Sequence, residues 1–116
     1  MKKIEEQIIK TFEKRCNDCA YSIQVFLTSR DIVEGYARDI VIYRLDDKPI
    51  FRYEPKKQRF SFSLEGYNTP TTRSRLRALL GYFCQAQLYM KQGKVFLETR
   101  NGKKYKIDTN VLVDLK

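Results

Sequence analysis

The sequence predicts an α+β fold, in which an antiparallel β-meander is flanked by an N-terminal helix and a middle helix at about residues 70–81. Two stretches have helical periodicity, and between and after them lie short β-branched and aromatic segments separated by tight turns. Short turns require antiparallel pairing, because parallel strands need long crossover connections. No linker or low-complexity tract interrupts the 116 residues. Residues 1–116 are therefore predicted to form a single domain.

The first element is predicted to be an amphipathic helix over residues 1–19. Ile4, Ile8, Phe12 and Cys16 recur every four residues, and Lys and Glu occupy the opposite face. Residues 20–116 are predicted to form the antiparallel sheet with the middle helix inserted. The stretch 20–29 reads as a strand, whereas 30–38 is ambiguous, since Gly35 favours a loop or a short turn.

Further strands are predicted at 39–45, 50–54 and 59–65. In the last of these, Phe60, Phe62 and Leu64 alternate with Arg59, Ser61 and Ser63, which predicts one buried face and one solvated face. Segments 85–91, 94–100 and 103–107 continue the meander. Asn101-Gly102 predicts a type I′ hairpin turn, in which both central residues have positive φ. Residues 111–115 fit either a last strand or a short helix.

The middle helix has clear start and stop signals. Thr69 is a good N-cap, Pro70 suits the first helical position, and Gly81 is a plausible terminator. The apolar stripe of this helix consists of Leu76, Leu79, Leu80 and Phe83.

The net charge of +9 is unevenly distributed along the chain. Residues 1–50 hold nine Lys/Arg and nine Asp/Glu, whereas residues 51–116 hold fourteen Lys/Arg and five Asp/Glu. Such segregated basic charge favours polyanionic partners, above all nucleic acid. The alternative is a basic protein without a polyanionic partner.

Two kinds of site could contact phosphates. A helix N-terminus with free N–H groups and hydroxyls binds anions, which makes Thr71, Thr72, Arg73 and Arg77 candidates; a capped helix with a solvated arginine flank is the equally open alternative. The other candidates are the basic residues at two hairpin tips. They are Lys56, Lys57, Arg59, Arg100, Lys103, Lys104 and Lys106.

Other chemistry lacks support in the sequence. Histidine is absent, no catalytic motif is present, and Cys16-x-x-Cys19 with Cys84 does not complete a four-ligand zinc site. We therefore expect no enzyme activity, although nucleases that use Lys, Asp and Glu without histidine exist, and we expect no metal and no cofactor. No apolar run approaches a membrane span, so we expect no membrane partner and a cytoplasmic location.

The stretch "GYNTPTTRSRL" (66–76) resembles the G-aromatic-x-T-x-T-T-basic-x-R-aliphatic signature of small proteins encoded by tailed bacteriophages and plasmids. The resemblance covers roughly residues 40–98 and implies a non-enzymatic protein of phage or mobile-element origin. Such a protein would act in a nucleic-acid context, either on nucleic acid directly or on a nucleic-acid-bound host protein complex. The alternative is a protein-binding inhibitor of a host defence system, similar to an anti-CRISPR protein, without direct nucleic-acid contact.

Overall fold

The computed structural model describes residues 1–18 and 20–115 and confirms the α+β fold. Helix α1 spans Lys3–Asn17 and helix α2 spans Pro70–Cys84. The strands, in chain order, are β1 Ile23–Phe26, β2 Asp31–Tyr36, β3 Ile40–Leu45, β4 Lys48–Glu54, β5 Arg59–Phe62, β6 Gln87–Lys91, β7 Lys94–Glu98, β8 Lys104–Lys106 and β9 Val113–Leu115.

The strands form two antiparallel sheets, so the expectation of one continuous meander is wrong. The large sheet has the order β1-β2-β3-β4-β5-β9, and the small sheet has the order β6-β7-β8. Helix α2 separates the two sheets in sequence. After the small sheet the chain returns to the large sheet, where β9 pairs with β5 and becomes the edge strand on that side.

Both helices and one face of each sheet enclose the core. Phe12 of α1, Phe51 of β4 and Phe62 of β5 are fully buried. Leu88 of β6 and Leu97 of β7 belong to the same cluster. The small sheet is therefore anchored through one face, and its other face points away from the core.

The ambiguous segment 30–38 contains the strand β2, which pairs with β1 on one side and β3 on the other. Gly35 lies inside this strand, and not in a loop or turn. The side chain of Arg15 in α1 packs against Gly35: the Arg15 Cδ lies 3.8 Å from the position that a Cβ on residue 35 would occupy. Burial of Val33 and pairing on both edges outweigh the low strand propensity of glycine.

Helix α2 begins as predicted, with the Thr69 hydroxyl accepting from the Thr72 N–H at 3.2 Å. It continues past Gly81 to Cys84, and the left-handed residue that ends it is Gln85, with φ of 52°. The extra turn places Phe83 against Phe12, 5.4 Å between ring centroids. That packing compensates for the roughly 1 kcal/mol that an internal glycine costs a helix.

Two further details differ from expectation. Ser61 and Ser63 are buried, although Phe62 and Leu64 lie in the core as predicted. The turn at Asn101-Gly102 is not a type I′ turn, because only Gly102 has positive φ, at 85°. The Thr99 N–H donates to the Lys103 carbonyl oxygen across the three-residue loop 100–102. In hairpin loops of this length, a type I turn is usually followed by one residue with positive φ, which here is Gly102.

Candidate nucleic-acid interface

The start of α2 offers less to a phosphate than its sequence predicts. Thr72 is buried, its N–H is bonded to the Thr69 hydroxyl, and the two hydroxyls lie 2.9 Å apart. Thr71 is half-buried and lines a cavity of about 190 Å³ that Lys48 and Tyr67 also line. Of the two predicted phosphate-binding hydroxyls, Thr71 and Thr72, only that of Thr71 is partly accessible.

Arg73 and Arg77 are tied to the protein itself. Arg73 Nη1 donates to the backbone oxygen of Asn68 at 2.9 Å and to its side-chain oxygen at 2.6 Å. Arg77 Nε donates to the Leu88 carbonyl oxygen at 2.9 Å, which joins α2 to the edge strand β6 of the small sheet. These contacts give both arginines a positioning role within the fold.

Arg75, which was not among the predicted site residues, is the buried arginine of this helix. Its Nε donates to Asp31 Oδ1 at 3.0 Å, and its Nη1 donates to Glu5 Oε2 at 3.2 Å. The Ser74 hydroxyl donates to the same Glu5 oxygen at 2.5 Å. The cluster connects α2 with α1 and β2, and so it has a structural role.

Asp31 is the acidic centre of that cluster. Burial alone would raise the pKa of Asp31, but hydrogen bonds from Tyr43, Thr28 and Arg75 outweigh burial and hold that pKa below its usual range. Burial and the bond to Asp31 raise the pKa of the Tyr43 hydroxyl. The carboxylate and the phenol therefore stay ionised and neutral, respectively, near neutral pH.

The basic tip of the β4–β5 hairpin has acidic neighbours. Lys56 lies 3.8 Å from Asp39, Lys57 lies 3.6 Å from Glu54, and Arg59 lies 3.8 Å from Asp114. These exposed pairs are weak, yet each places a negative charge beside a predicted phosphate contact. The local field at this tip is therefore partly compensated.

The small sheet has the opposite character. Residues 85–107 contain six Lys/Arg and one acidic residue, Glu98. Within the described part of the chain, none of these six cations forms an ion pair. They are Lys91, Lys94, Arg100, Lys103, Lys104 and Lys106.

The strand register decides where these cations point. Lys91 pairs with Lys94, and Phe96 pairs with Lys106. Since side chains alternate along each strand and cross-strand partners share a face, the outward face of the small sheet has a defined set of residues. This basic sheet face consists of Gln87, Tyr89, Lys91, Lys94, Phe96, Glu98, Lys104 and Lys106.

Two aromatic side chains lie at the centre of the basic sheet face. Tyr89 and Phe96 are cross-strand partners whose ring centroids are 5.6 Å apart with an interplanar angle of 19°. Both are half-buried, and the four lysines around them are exposed. Sequence reasoning missed Tyr89, Phe96, Lys91 and Lys94, although alternation along 87–91 and 94–98 already places them on one face.

A cleft of about 940 Å³ lies on the opposite side of β8. Arg100, Lys103 and Tyr105 contribute to its lining, together with Phe83 and Cys84 at the end of α2. Burial raises the pKa of the Cys84 thiol to about 12, so this sulfur is a poor nucleophile at neutral pH. The tip residues Arg100 and Lys103 thus face the cleft, whereas Lys104 and Lys106 lie on the basic sheet face.

Within residues 1–18 and 20–115, no three His, Cys, Asp or Glu side chains are grouped as metal ligands would be. Cys16 packs against the core, and Cys19 of the predicted C-x-x-C lies outside the described residues. Neither described helix is long and apolar enough to cross a membrane.

The fold and the charge distribution define a small basic α+β protein. Residues 1–112 of the chain match the family model of the Kyanoviridae Gp96 protein. The chain therefore belongs to the Kyanoviridae Gp96 protein family, which is a phage protein family. The match confirms the phage type inferred from residues 40–98 and includes residues 1–38; the short signature itself stays a prediction. Neither a curated protein nor a solved structure matches the chain.

Proposed function

We propose that this phage protein binds nucleic acid directly and without catalysis, through the basic sheet face. The carrying observation is that the cations of residues 85–107 form no ion pair in the described chain, although Glu98 lies opposite Lys104, whereas the cations of the β4–β5 tip do form ion pairs. Six cations against one carboxylate leave a net positive charge, which attracts the phosphate backbone and releases its counterions on binding. The spread of these cations over two hairpins favours contact with several consecutive phosphates.

The geometry separates this face from the other predicted contacts. Lys104 and Lys106 lie on the outward face of β8, where Lys106 pairs with Phe96 and Lys104 pairs with Glu98. Lys91 and Lys94 flank the turn at one end of the same face. Arg73 and Arg77 already bond to Asn68 and Leu88. The four lysines are therefore the main phosphate contacts in this proposal, with Arg100 and Lys103 at its margin.

Fluorescence anisotropy with labelled oligonucleotides at several salt concentrations tests this function. The logarithm of the binding constant should fall linearly with the logarithm of salt concentration, by about 0.7–0.9 per phosphate contact. The double variant Lys104→Gln/Lys106→Gln should reduce this slope by about 1.5–2. The matched control, Lys56→Gln/Lys57→Gln, removes the same charge from a tip with acidic neighbours and should change the slope by less than half as much.

Absence of binding to any oligonucleotide at low salt would refute the proposal. Equal slope changes in the two double variants would show that net charge, and not the basic sheet face, governs binding. Thermal melts of both variants check that the fold is intact. Arg77→Ala, measured alongside, should alter stability more than the salt slope, because Arg77 joins α2 to β6.

A second candidate function is the protein-binding inhibitor of a host defence system. The observation that favours it is a group of exposed apolar side chains around β1, which is an edge strand of the large sheet. Ile23, Phe26 and Tyr36 are all exposed, with 67% of Phe26 accessible. Exposed apolar groups beside an unpaired strand edge are typical of protein-binding surfaces. A pull-down from host lysate that keeps its partner after nuclease treatment, and loses it with Phe26→Asp, would support this function.

A further inference from the structure

We infer that the ligand of the basic sheet face is single-stranded nucleic acid, with bases stacked on Tyr89 and Phe96. The inference rests on the proposed function and specifies its substrate class. It is carried by the position of an aromatic pair next to four lysines on the same face of the small sheet.

The register fixes the arrangement. Tyr89 and Phe96 form the middle row, and Lys106 adjoins Phe96 on the third strand. The pair Lys91 and Lys94 forms one end row, and the other end row consists of Gln87, Glu98 and Lys104. Neighbouring strands lie about 4.8 Å apart and alternate residues along a strand about 6.6–6.8 Å apart. A backbone that passes along the lysines would therefore hold its bases within reach of the two rings.

The rings themselves favour stacking. The two rings are stacked on each other, with planes that differ by 19° and centroids 5.6 Å apart, so a base would stack on the outer side of either ring. The bases of a single strand expose their flat faces, and stacking on an aromatic side chain accepts any base. In a duplex those faces are covered by neighbouring base pairs, so Tyr89 and Phe96 could add nothing beyond phosphate attraction.

The structural alternative is that Tyr89 and Phe96 only stabilise the sheet as a cross-strand aromatic pair. The opposite face of the same strands already supplies the core contacts, through Leu88, Val95 and Leu97, which are all buried. An aromatic pair that serves only the sheet needs no lysines beside it. Lys91 and Lys94 at one end of the pair, together with Lys106 beside Phe96, therefore point to a polyanion with flat groups.

Three probes separate the contributions. They are a 12-nucleotide oligothymidine, a duplex of the same length, and a 12-unit abasic oligonucleotide that has phosphates without bases. Wild type should bind the single strand at least about 5-fold more tightly than the abasic probe, because loss of one stacking contact corresponds to about 5- to 150-fold in affinity. The duplex should bind less tightly than the single strand.

The variant Phe96→Leu keeps an apolar residue and removes the ring. It should weaken binding to the single strand about 5- to 150-fold and leave abasic binding unchanged. Tyr89→Phe should bind like wild type, since it retains the ring. The control Tyr105→Leu removes an aromatic residue that lines the cleft on the other side of β8 and should not change discrimination between the probes.

The outcomes distinguish failure of the single-strand inference from failure of the proposed function. Equal affinity for all three probes, with the expected salt dependence, would overturn the single-strand inference and leave the proposed function standing. Tighter binding to the duplex than to the single strand would also overturn it, in favour of a β-ribbon in the major groove. If no probe binds at low salt, the inference and the proposed function both fail. If Phe96→Leu does not fold, Tyr89→Leu with Tyr89→Phe as its control gives the same comparison.

Discussion

At the residue scale, the charged groups of this protein fall into two populations. Arg75, Asp31 and Glu5 are buried and bonded to one another, and they connect both helices to the large sheet. The lysines of residues 85–107 are exposed and form no ion pair among the described residues. The first population stabilises the fold, and the second remains available to a ligand.

The replacement Asp31→Asn should lower the free energy of unfolding by roughly 3–5 kcal/mol, because it leaves Arg75 buried with an incomplete set of partners. Denaturant titration at pH 7 measures this loss. The matched control is Asp46→Asn, which breaks the half-exposed pair with Arg30 and should cost much less than Asp31→Asn, because exposed ion pairs are weak.

The pKa of Asp31 also predicts a pH dependence. That pKa is lowered in the folded state, so the stability that it contributes is present above the unfolded value of about 3.9 and is lost as pH falls through the lower folded value. Wild type should therefore lose stability in acid more steeply than Asp31→Asn. Parallel curves between about pH 6 and pH 2 would contradict this assignment.

At the element scale, β5 tests the packing of the large sheet. Phe62 is fully buried, so Phe62→Ala should cost roughly 3–5 kcal/mol as a core truncation. Ser61 is also buried but lies on the face away from the helices, and Ser61→Ala should cost less than about 1 kcal/mol since it removes one small atom. Denaturant melts that gave equal losses would refute the register proposed for this strand.

The start of α2 gives a second element-scale prediction. Thr69→Ala removes the hydroxyl that accepts from the Thr72 N–H and should cost about 1 kcal/mol. Thr71→Ala alters a neighbouring hydroxyl without a capping role and should leave the melting temperature within about 2 °C of wild type. Similar losses in the two variants would show that the cap contributes little.

At the scale of the whole molecule, the separation into two sheets matters most for function. The small sheet is fixed to the core through Leu88 and Leu97, and Lys91, Lys94, Lys104 and Lys106 are exposed on its outward face. A rigid support of this kind holds the lysines and the aromatic pair in register. The large sheet supplies most of the buried core and presents a different edge, β1, to solvent.

Metal content is a property of the whole chain, and we predict that no zinc is bound stoichiometrically. Histidine is absent from the sequence, and three cysteines cannot by themselves complete the usual four-ligand site. Elemental analysis of protein purified without chelator checks this expectation. About one zinc per chain or per dimer would overturn it.

The sequence by itself determined the elements whose signals are local. Thr69 and Pro70 set the start of α2, because a cap and a fixed φ act within one turn. The four-residue spacing of Ile4, Ile8 and Phe12 set α1, because a helix must bury one stripe. Alternation in residues 59–65 correctly placed Phe62 in the core.

Long-range contacts decided the rest. Gly35 lies within a strand because β1 and β3 pair on both sides of it, and α2 continues past Gly81 because Phe83 packs on Phe12. Only the tertiary structure showed which predicted cations have protein partners. Arg73 and Arg77 gain theirs from a loop and an edge strand, whereas Lys104 and Lys106 are exposed and form no ion pair in the described chain, because the small sheet turns them away from the core. The physical reason is that propensity and capping act over a few residues, while burial and ion pairing depend on groups that are distant in sequence.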